Sequence, residues 1–243
     1  MHDLEGRRPG RCTANAEPLS RQPGLVRDYL ERSIIRGSDL ARSVQLEQTG
    51  QMWQKPGGRG MSFTATEALQ IGTVAFSWRA RFPLLGPLAI NVTDEYSHGE
   101  GKLEARLLGL RVMRQQGKET DLGEALRYLA ELPWIPHAMA ANADLEWREI
   151  HEHAVEVATV VGSERAAVQI DFNTDGDIIK TSSESRPRPV GKTYTPTAWG
   201  GTYSDYAELA GVRIPTSADV YWQQADGPFT YWRGQILTMR LAD

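Results

Sequence analysis

Four side chains in this sequence have types and neighbours suited to acid–base chemistry: Asp94, His98, Arg127 and Glu131. Asp94-Glu-Tyr96 and His98 stand beside the glycine-rich stretch Gly99-Glu-Gly101. A carboxylate and an imidazole at a strand end can face a cavity mouth and pass a proton. The same residues also read as polar turn residues that hydrogen-bond their own backbone. Arg127 and Glu131 are four apart on a predicted helix that runs into Trp134. A buried pair of this kind costs desolvation energy and leaves room for a functional role, whereas at the surface it is worth under ~0.5 kcal/mol. In the acid–base reading, Asp94, His98 or Glu131 transfers the proton and Arg127 or a tyrosine steadies developing negative charge.

Aromatic residues are the second candidate set. The last third of the chain carries Tyr194-Thr-Pro-Thr-Ala-Trp199, Tyr203-Ser-Asp-Tyr206 and Gly227-Pro-Phe-Thr-Tyr-Trp-Arg-Gly234. Such rings either fill a sheet core or line an apolar pocket with a polar handle exposed to it. Trp53, Trp78, Tyr96, Trp134, Trp199, Tyr203, Trp222 and Tyr231 are the expected ligand-binding residues. Strand alternation puts Tyr203 with Asp205 on one face, and Tyr231 with Arg233, so an Asp205–Arg233 contact across strands is expected as a possibility.

Other chemistries find little support. His151 and His153 alternate near Glu149 and Glu152, but they fall at a charged turn without a third ligand, so no metal is expected there. Phosphate loops, Gly-x-Ser-x-Gly elbows and His-Glu-x-x-His are missing, and no cofactor is expected. The net charge of −4 gives no reason to expect nucleic acid. Cys12 is the single cysteine, which excludes an intramolecular disulfide and fits a cytoplasmic setting. Apolar runs such as Ala154–Gly162 fall far short of the ~20 residues that cross a bilayer. Residues 1–22 contain four arginines and no apolar run, and read as a flexible arm ahead of a single domain over 23–243.

These candidates must be positioned by the elements around them. Gly24–Arg36 reads as an amphipathic helix with Pro23 in its first turn. Ser43–Trp53, Gly72–Phe82, Leu88–Tyr96 and Leu103–Met113 read as strands, with Phe63–Leu69 ambiguous. Leu122–Glu131 reads as a helix opened by an Asp121/Glu124 capping box and ended by Pro133 and Pro136. Its Leu122, Ala125, Leu126 and Leu129 share a face that should lie against a sheet. From Leu145 onward seven strands follow with short turns, Asn173-Thr-Asp-Gly-Asp177 being a hairpin loop and Ser183–Lys192 a linker-like segment. About ten strands and two or three helices imply a mainly β (α+β) fold, an antiparallel sheet too wide to stay flat. The expected form is a strongly curved half-barrel wrapped over the helices.

Several of these motifs carry a resemblance. Arg127-Tyr-Leu-Ala-Glu-Leu-Pro-Trp134, Thr195-Pro-Thr-Ala-Trp199 with Tyr203-Ser-Asp-Tyr206, the Gly227–Gly234 segment, Asp94-Glu-Tyr96 and Leu103-Glu-Ala-Arg-Leu-Leu-Gly-Leu110 occur in order from about residue 24 to the end. In this the chain resembles a widespread bacterial family classed as a domain of unknown function. The resemblance implies a curved sheet similar to the half-barrels of lipoprotein carriers, with an apolar interior. Many relatives carry an N-terminal membrane segment that this sequence lacks. The sequence also departs from the pattern at Met61, where relatives tend to have Trp, and at Thr73-Val-Ala75, where a Pro-Gly pair is usual. Two roles follow as expectations: binding of a hydrophobic or amphiphilic small molecule, or cofactor-independent isomerase, cyclase or hydrolase chemistry on an apolar one.

Overall fold

The computed structural model describes residues 22–34 and 41–242. The expected arm over 1–22, except Gln22, and Cys12 therefore lie outside the described residues. Thirteen strands run in the order β6-β5-β4-β3-β2-β1-β13-β12-β11-β10-β9-β8-β7, every neighbour antiparallel. The first meander is β1 (Ser43–Met52), β2 (Met61–Gln70), β3 (Phe76–Pro83), β4 (Ala89–Ser97), β5 (Glu100–Leu107) and β6 (Leu110–Gln116). The second is β7 (Glu146–His151), β8 (Ala154–Val161), β9 (Glu164–Phe172), β10 (Ile178–Val190), β11 (Thr193–Leu209), β12 (Val212–Gln224) and β13 (Gly227–Ala242). The two meanders join where β1 pairs with β13, so the two ends of the described sheet sequence meet in its middle.

The sheet is a half-barrel, and its trough is filled by three short helices: α1 (Gly24–Ser33), α2 (Lys118–Ala130) and α3 (Pro136–Ala141), with a 3₁₀ turn at Leu132–Trp134. Helix α2 touches β4, β5 and β6 on one side and β8 to β11 on the other. A helix gripped by both arms of a curled sheet is buried on more than one face: Ala125, Leu126, Tyr128, Leu129 and Ala130 are buried, and so is the polar Glu124. Tyr29 of α1 donates to Pro133 O at 3.1 Å and packs edge-on against Phe172, tying α1 to the 3₁₀ turn and the second meander.

Several expectations are corrected. Leu103–Met113 is not one strand: Leu108 and Gly109 take positive φ (51° and 80°) and turn the chain between β5 and β6. The ambiguous Phe63–Leu69 belongs to β2, alternating buried Phe63, Ala65, Glu67 and Leu69 with more exposed neighbours. Ser183–Lys192 is not a linker; through Val190 it is the far half of β10, paired with β11. Its two prolines, Pro187 and Pro189, are tolerated there because β9 pairs with β10 only over Ile178–Ser182, leaving one edge of that segment free. The capping box is not formed: α2 starts earlier, after Gly117 (φ 106°), and Asp121 instead accepts a hydrogen bond from Gly101 N at 2.7 Å. Gly101 is needed there, because a Cβ would stand 2.9 Å from Thr120 O. Pro133 and Pro136 break the helix only briefly, with α3 following at once.

Candidate functional site

Register builds the floor of the site. Glu67 on β2 is paired with Trp78 on β3, which is paired with Asp94 on β4, so two carboxylates flank one indole in a single cross-sheet row. Both acids are buried on strands whose other buried residues, Phe63, Ala65 and Leu69 on β2 and Ala89 and Tyr96 on β4, are apolar or aromatic. Helix α2 lowers Arg127 onto this row. Its Nη2 donates to Glu67 Oε1 at 2.7 Å, its Nη1 to Asp94 Oδ2 at 2.7 Å, and its Nε to Glu131 Oε1 at 2.8 Å. The guanidinium also lies 4.7 Å from the Phe76 ring centre and 5.2 Å from that of Trp78. Glu67 is held from behind by Gln48 Nε2 at 2.6 Å, and Gln48 accepts from Trp78 Nε1 at 2.8 Å. The Arg127–Glu131 pair is therefore buried rather than at the surface.

Charge bookkeeping makes this cluster unusual. Glu124, one turn before Arg127, and Arg186 of β10 complete it, with Arg186 Nη2 3.9 Å from Glu124 Oε1. Four carboxylates against two guanidiniums would leave two buried negative charges unbalanced. Burial raises all four carboxyls above their ordinary range, opposed by Arg127. Glu124 is pushed up to about 8 by burial and by the Asp94 charge, and Glu131 to about 8 by burial, with the Glu67 charge adding to it. Burial pulls Arg127 down, but the surrounding carboxylates outweigh it and hold the guanidinium firmly charged. Glu67 and Glu131 act on each other's titration, as do Asp94 and Glu124. A proton shared within each pair would bring the cluster to neutrality. Without those protons Asp94 Oδ1, Glu124 Oε2 and Glu131 Oε2 would be buried with no donor.

The cluster forms one wall of a cavity of about 530 Å³. The helix face Glu124, Arg127, Glu131 and Trp134 points into it, and Phe82, Ile90, Val92 and Leu103 continue the wall of the first meander. The opposite wall is aromatic. Trp222 stacks on Tyr231 at 5.9 Å and 24°, Trp199 lies 6.5 Å from Trp222, and Trp199 Nε1 donates to Tyr231 Oη at 3.1 Å. Arg186 is layered over the Trp199 ring at 4.2 Å. Trp134 donates to Pro215 O at 3.1 Å and meets Tyr203 and Trp232 ring to ring. Tyr203 in turn donates to Ala130 O at 2.6 Å.

The structure brings together Asp94, Arg127 and Glu131 with Trp53, Trp78, Trp134, Trp199, Tyr203, Trp222 and Tyr231, all lining the cavity. Two expected site residues fall elsewhere. His98 is exposed with φ 53° in the β4–β5 turn, because the hairpin carries it past the end of the sheet and away from the trough. Tyr96 is packed in the core below the cavity, where burial raises its phenol to about 12. The strand-alternation argument also fails at two places, a left-handed residue and a bulge. Asp205 takes φ 56° within β11, with its carbonyl accepting from Thr216 Oγ1 of β12 at 2.6 Å and the β11–β12 register unchanged across it, and Tyr203 and Tyr206 both turn inward while Asp205 is left exposed. A register shift beside Tyr231 puts it and Trp232, adjacent in sequence, in the same cavity wall. Arg233 then pairs with Asp219 at 2.6 Å and not with Asp205. His151 and His153 are exposed around the β7–β8 turn.

Four participants escaped sequence reading: Gln48, Glu67, Glu124 and Arg186. An inward Glu on alternating β2 was the available signal for Glu67, and the i, i+3 spacing of Glu124 to Arg127 for the second acid. Arg186 was hidden by a proline-rich segment taken for a linker.

The comparisons with solved structures concern the fold. A DUF1329 family protein from Desulfovibrio piger superposes with a TM-score of 0.50 at 9% identity, over 93% of this chain and 92% of that one. A LolA superfamily protein from Nitrosomonas europaea gives 0.49 at 10% identity, over 90% and 92%. A domain from Vibrio parahaemolyticus described as outer membrane lipoprotein-sorting gives 0.46 at 7%, over 92% and 93%. No curated protein matches the sequence. Residues 13–234 match the model of a family of unknown function, DUF6544, and the chain belongs to that family.

Proposed function

We propose that this protein binds an amphiphilic small molecule inside the half-barrel, its apolar part along the Trp199–Trp222–Tyr231 wall and its polar end toward the Arg127 cluster. The observation that carries this reading is the division of one cavity of about 530 Å³ into an aromatic wall and a charged one. That volume is in the usual range for small-molecule sites, which are mostly apolar with a few converging polar groups. A purely structural core would close such a space, since interiors pack without voids of this size. Fluorescence titration with an environment-sensitive naphthylamine dye tests the reading, with unlabelled amphiphiles as competitors. Saturable, competable binding that weakens about tenfold in Trp222→Ala is expected. Dye binding that is unsaturable, or identical in Trp222→Ala, would sink it.

A second reading is supported by the burial of Glu124 and Glu131 in the cavity wall, which pushes both carboxyls up to about 8. A carboxylic acid poised in this way can serve as general acid or base in a cofactor-independent isomerase, cyclase or hydrolase. Arg127 is too tightly held by three carboxylates to be the mobile partner and would stabilise charge in place. Glu131→Gln should then abolish turnover of any substrate found while retaining dye affinity; retained turnover would remove Glu131 from the chemistry.

A further inference from the structure

The cavity reaches one end of the half-barrel, which carries six hairpin turns of the sheet: the β8–β9 turn and the five that follow. Antiparallel alternation puts the β1–β2, β3–β4, β5–β6, β10–β11 and β12–β13 turns at that end, closed by the register pairs Met52–Met61, Pro83–Ala89, Leu107–Leu110, Val190–Thr193 and Gln224–Gly227. Met52, Trp53, Gln54, Met61, Pro189 and Tyr194 line the cavity there.

Two features of these turns are unlike the rest of the surface. Half of the twelve exposed large hydrophobic side chains of the described residues are in or beside them: Leu84 (46% exposed), Leu85 (86%), Leu88 (38%), Leu108 (73%), Leu110 (74%) and Val190 (52%). A turn exposing three leucines in five residues gains nothing from folding by doing so, and clustered exposed apolar groups mark a contact surface. The charge is also one-sided. Within two residues of these turns stand Lys55, Arg59, Arg106, Arg111 and Lys192 against the single acid Asp226, in a chain whose net charge is −4. Glu104, further down β5, offsets part of Arg106 and Arg111. The β8–β9 turn at the same end adds Glu164 and Arg165, which cancel.

We propose that this end docks on the surface of an anionic lipid bilayer, with the leucine turns entering the headgroup region and the basic residues meeting lipid phosphates. Exposed leucines beside lysines and arginines match both components of such a surface, the apolar boundary and its negative potential. Trp53, half-buried at the same rim, has the amphipathic ring favoured at a membrane interface. Docking in this orientation would set the cavity mouth against the bilayer. The proposal concerns the outer surface of the turns and does not depend on what the cavity holds.

Co-sedimentation of the full chain with vesicles of phosphatidylcholine mixed with phosphatidylglycerol, and of phosphatidylcholine alone, tests it directly. Binding to the mixed vesicles is expected, weakened by added salt and at least about tenfold weaker to the neutral ones. Leu85→Glu with Leu108→Glu should lose at least about tenfold more, with an unchanged circular dichroism spectrum because both side chains are exposed. Lys55→Glu with Arg59→Glu should act on the mixed vesicles only. Equal sedimentation of wild type and the leucine double variant would overturn the proposal. So would a concentration-dependent dimer in sedimentation velocity that the leucine variant abolishes, since the rim would then join two copies of the chain.

Discussion

Arg127 and Arg186 enter the same cavity and are held in opposite ways. Arg127 spends its donors on Glu67, Asp94 and Glu131, all within 2.8 Å, and lies against two rings. Arg186 approaches one carboxylate at 3.9 Å and otherwise rests on the faces of Trp199 and Trp222. The first is part of the scaffold, locking α2 to β2 and β4; the second belongs to the wall a ligand would touch. Charge in this cavity is thus concentrated on one side, and the aromatic side is kept apolar with a weakly hydrated guanidinium at its edge.

Breaking the charged side should have the largest effect. Arg127→Met leaves buried carboxylates without their cation, and denaturant unfolding at neutral pH should show a loss of about 3–5 kcal/mol. That deficit should shrink as pH falls and the carboxyls take up protons. A variant as stable as wild type would mean the cluster does not hold the sheet to the helix.

The next effect follows from the shared protons. Glu124 and Glu131 titrate near 8 when folded, against about 4.5 for an ordinary glutamic acid. Between those values the folded chain binds more protons than the unfolded one, so stability is greatest at the acid end of this window and falls as pH rises to about 8. Glu124→Gln, which mimics the protonated acid, should flatten that fall by up to about 1.4 kcal/mol per pH unit. An identical pH–stability slope in the variant would show that Glu124 is not protonated.

The aromatic side should respond in the reverse proportion, more in binding than in stability. Trp222 is only partly buried, and Trp222→Ala should cost less than about 2 kcal/mol while weakening dye binding tenfold. Arg186→Gln should cost under about 2 kcal/mol, because Arg186 meets a single carboxylate and only at 3.9 Å. If Arg186→Gln proves as damaging as Arg127→Met, the contrast between the two sides is wrong. The smallest effect belongs outside the cavity: Arg233→Ala removes an exposed pair with Asp219 and should change stability by less than about 1 kcal/mol.

Much of the fold was legible because alternation is a local signal. Phe76, Trp78, Ala80 and Phe82 alternate cleanly, and Gly176 with φ 77° marks its hairpin as expected. The site was legible where chemistry and period agree, as in Arg127 and Glu131 on one helical face. It was illegible where the backbone breaks the period, at the left-handed Asp205 and at the bulge beside Tyr231, since either changes which side chains share a face. Long-range register is equally hidden. Nothing local tells that Glu67 and Asp94 flank Trp78, because that depends on how three strands slide against one another. His98 misled because a titratable residue beside glycines looks the same whether the hairpin points it in or out.

Native mass spectrometry after incubation with a panel of amphiphiles, followed by organic extraction of whatever is carried along, tests the cavity reading most directly. The account predicts a defined adduct of one amphiphile per chain, lost or strongly reduced in Trp222→Ala. A bare mass across the panel, or an adduct unaffected by Trp222→Ala, would contradict it.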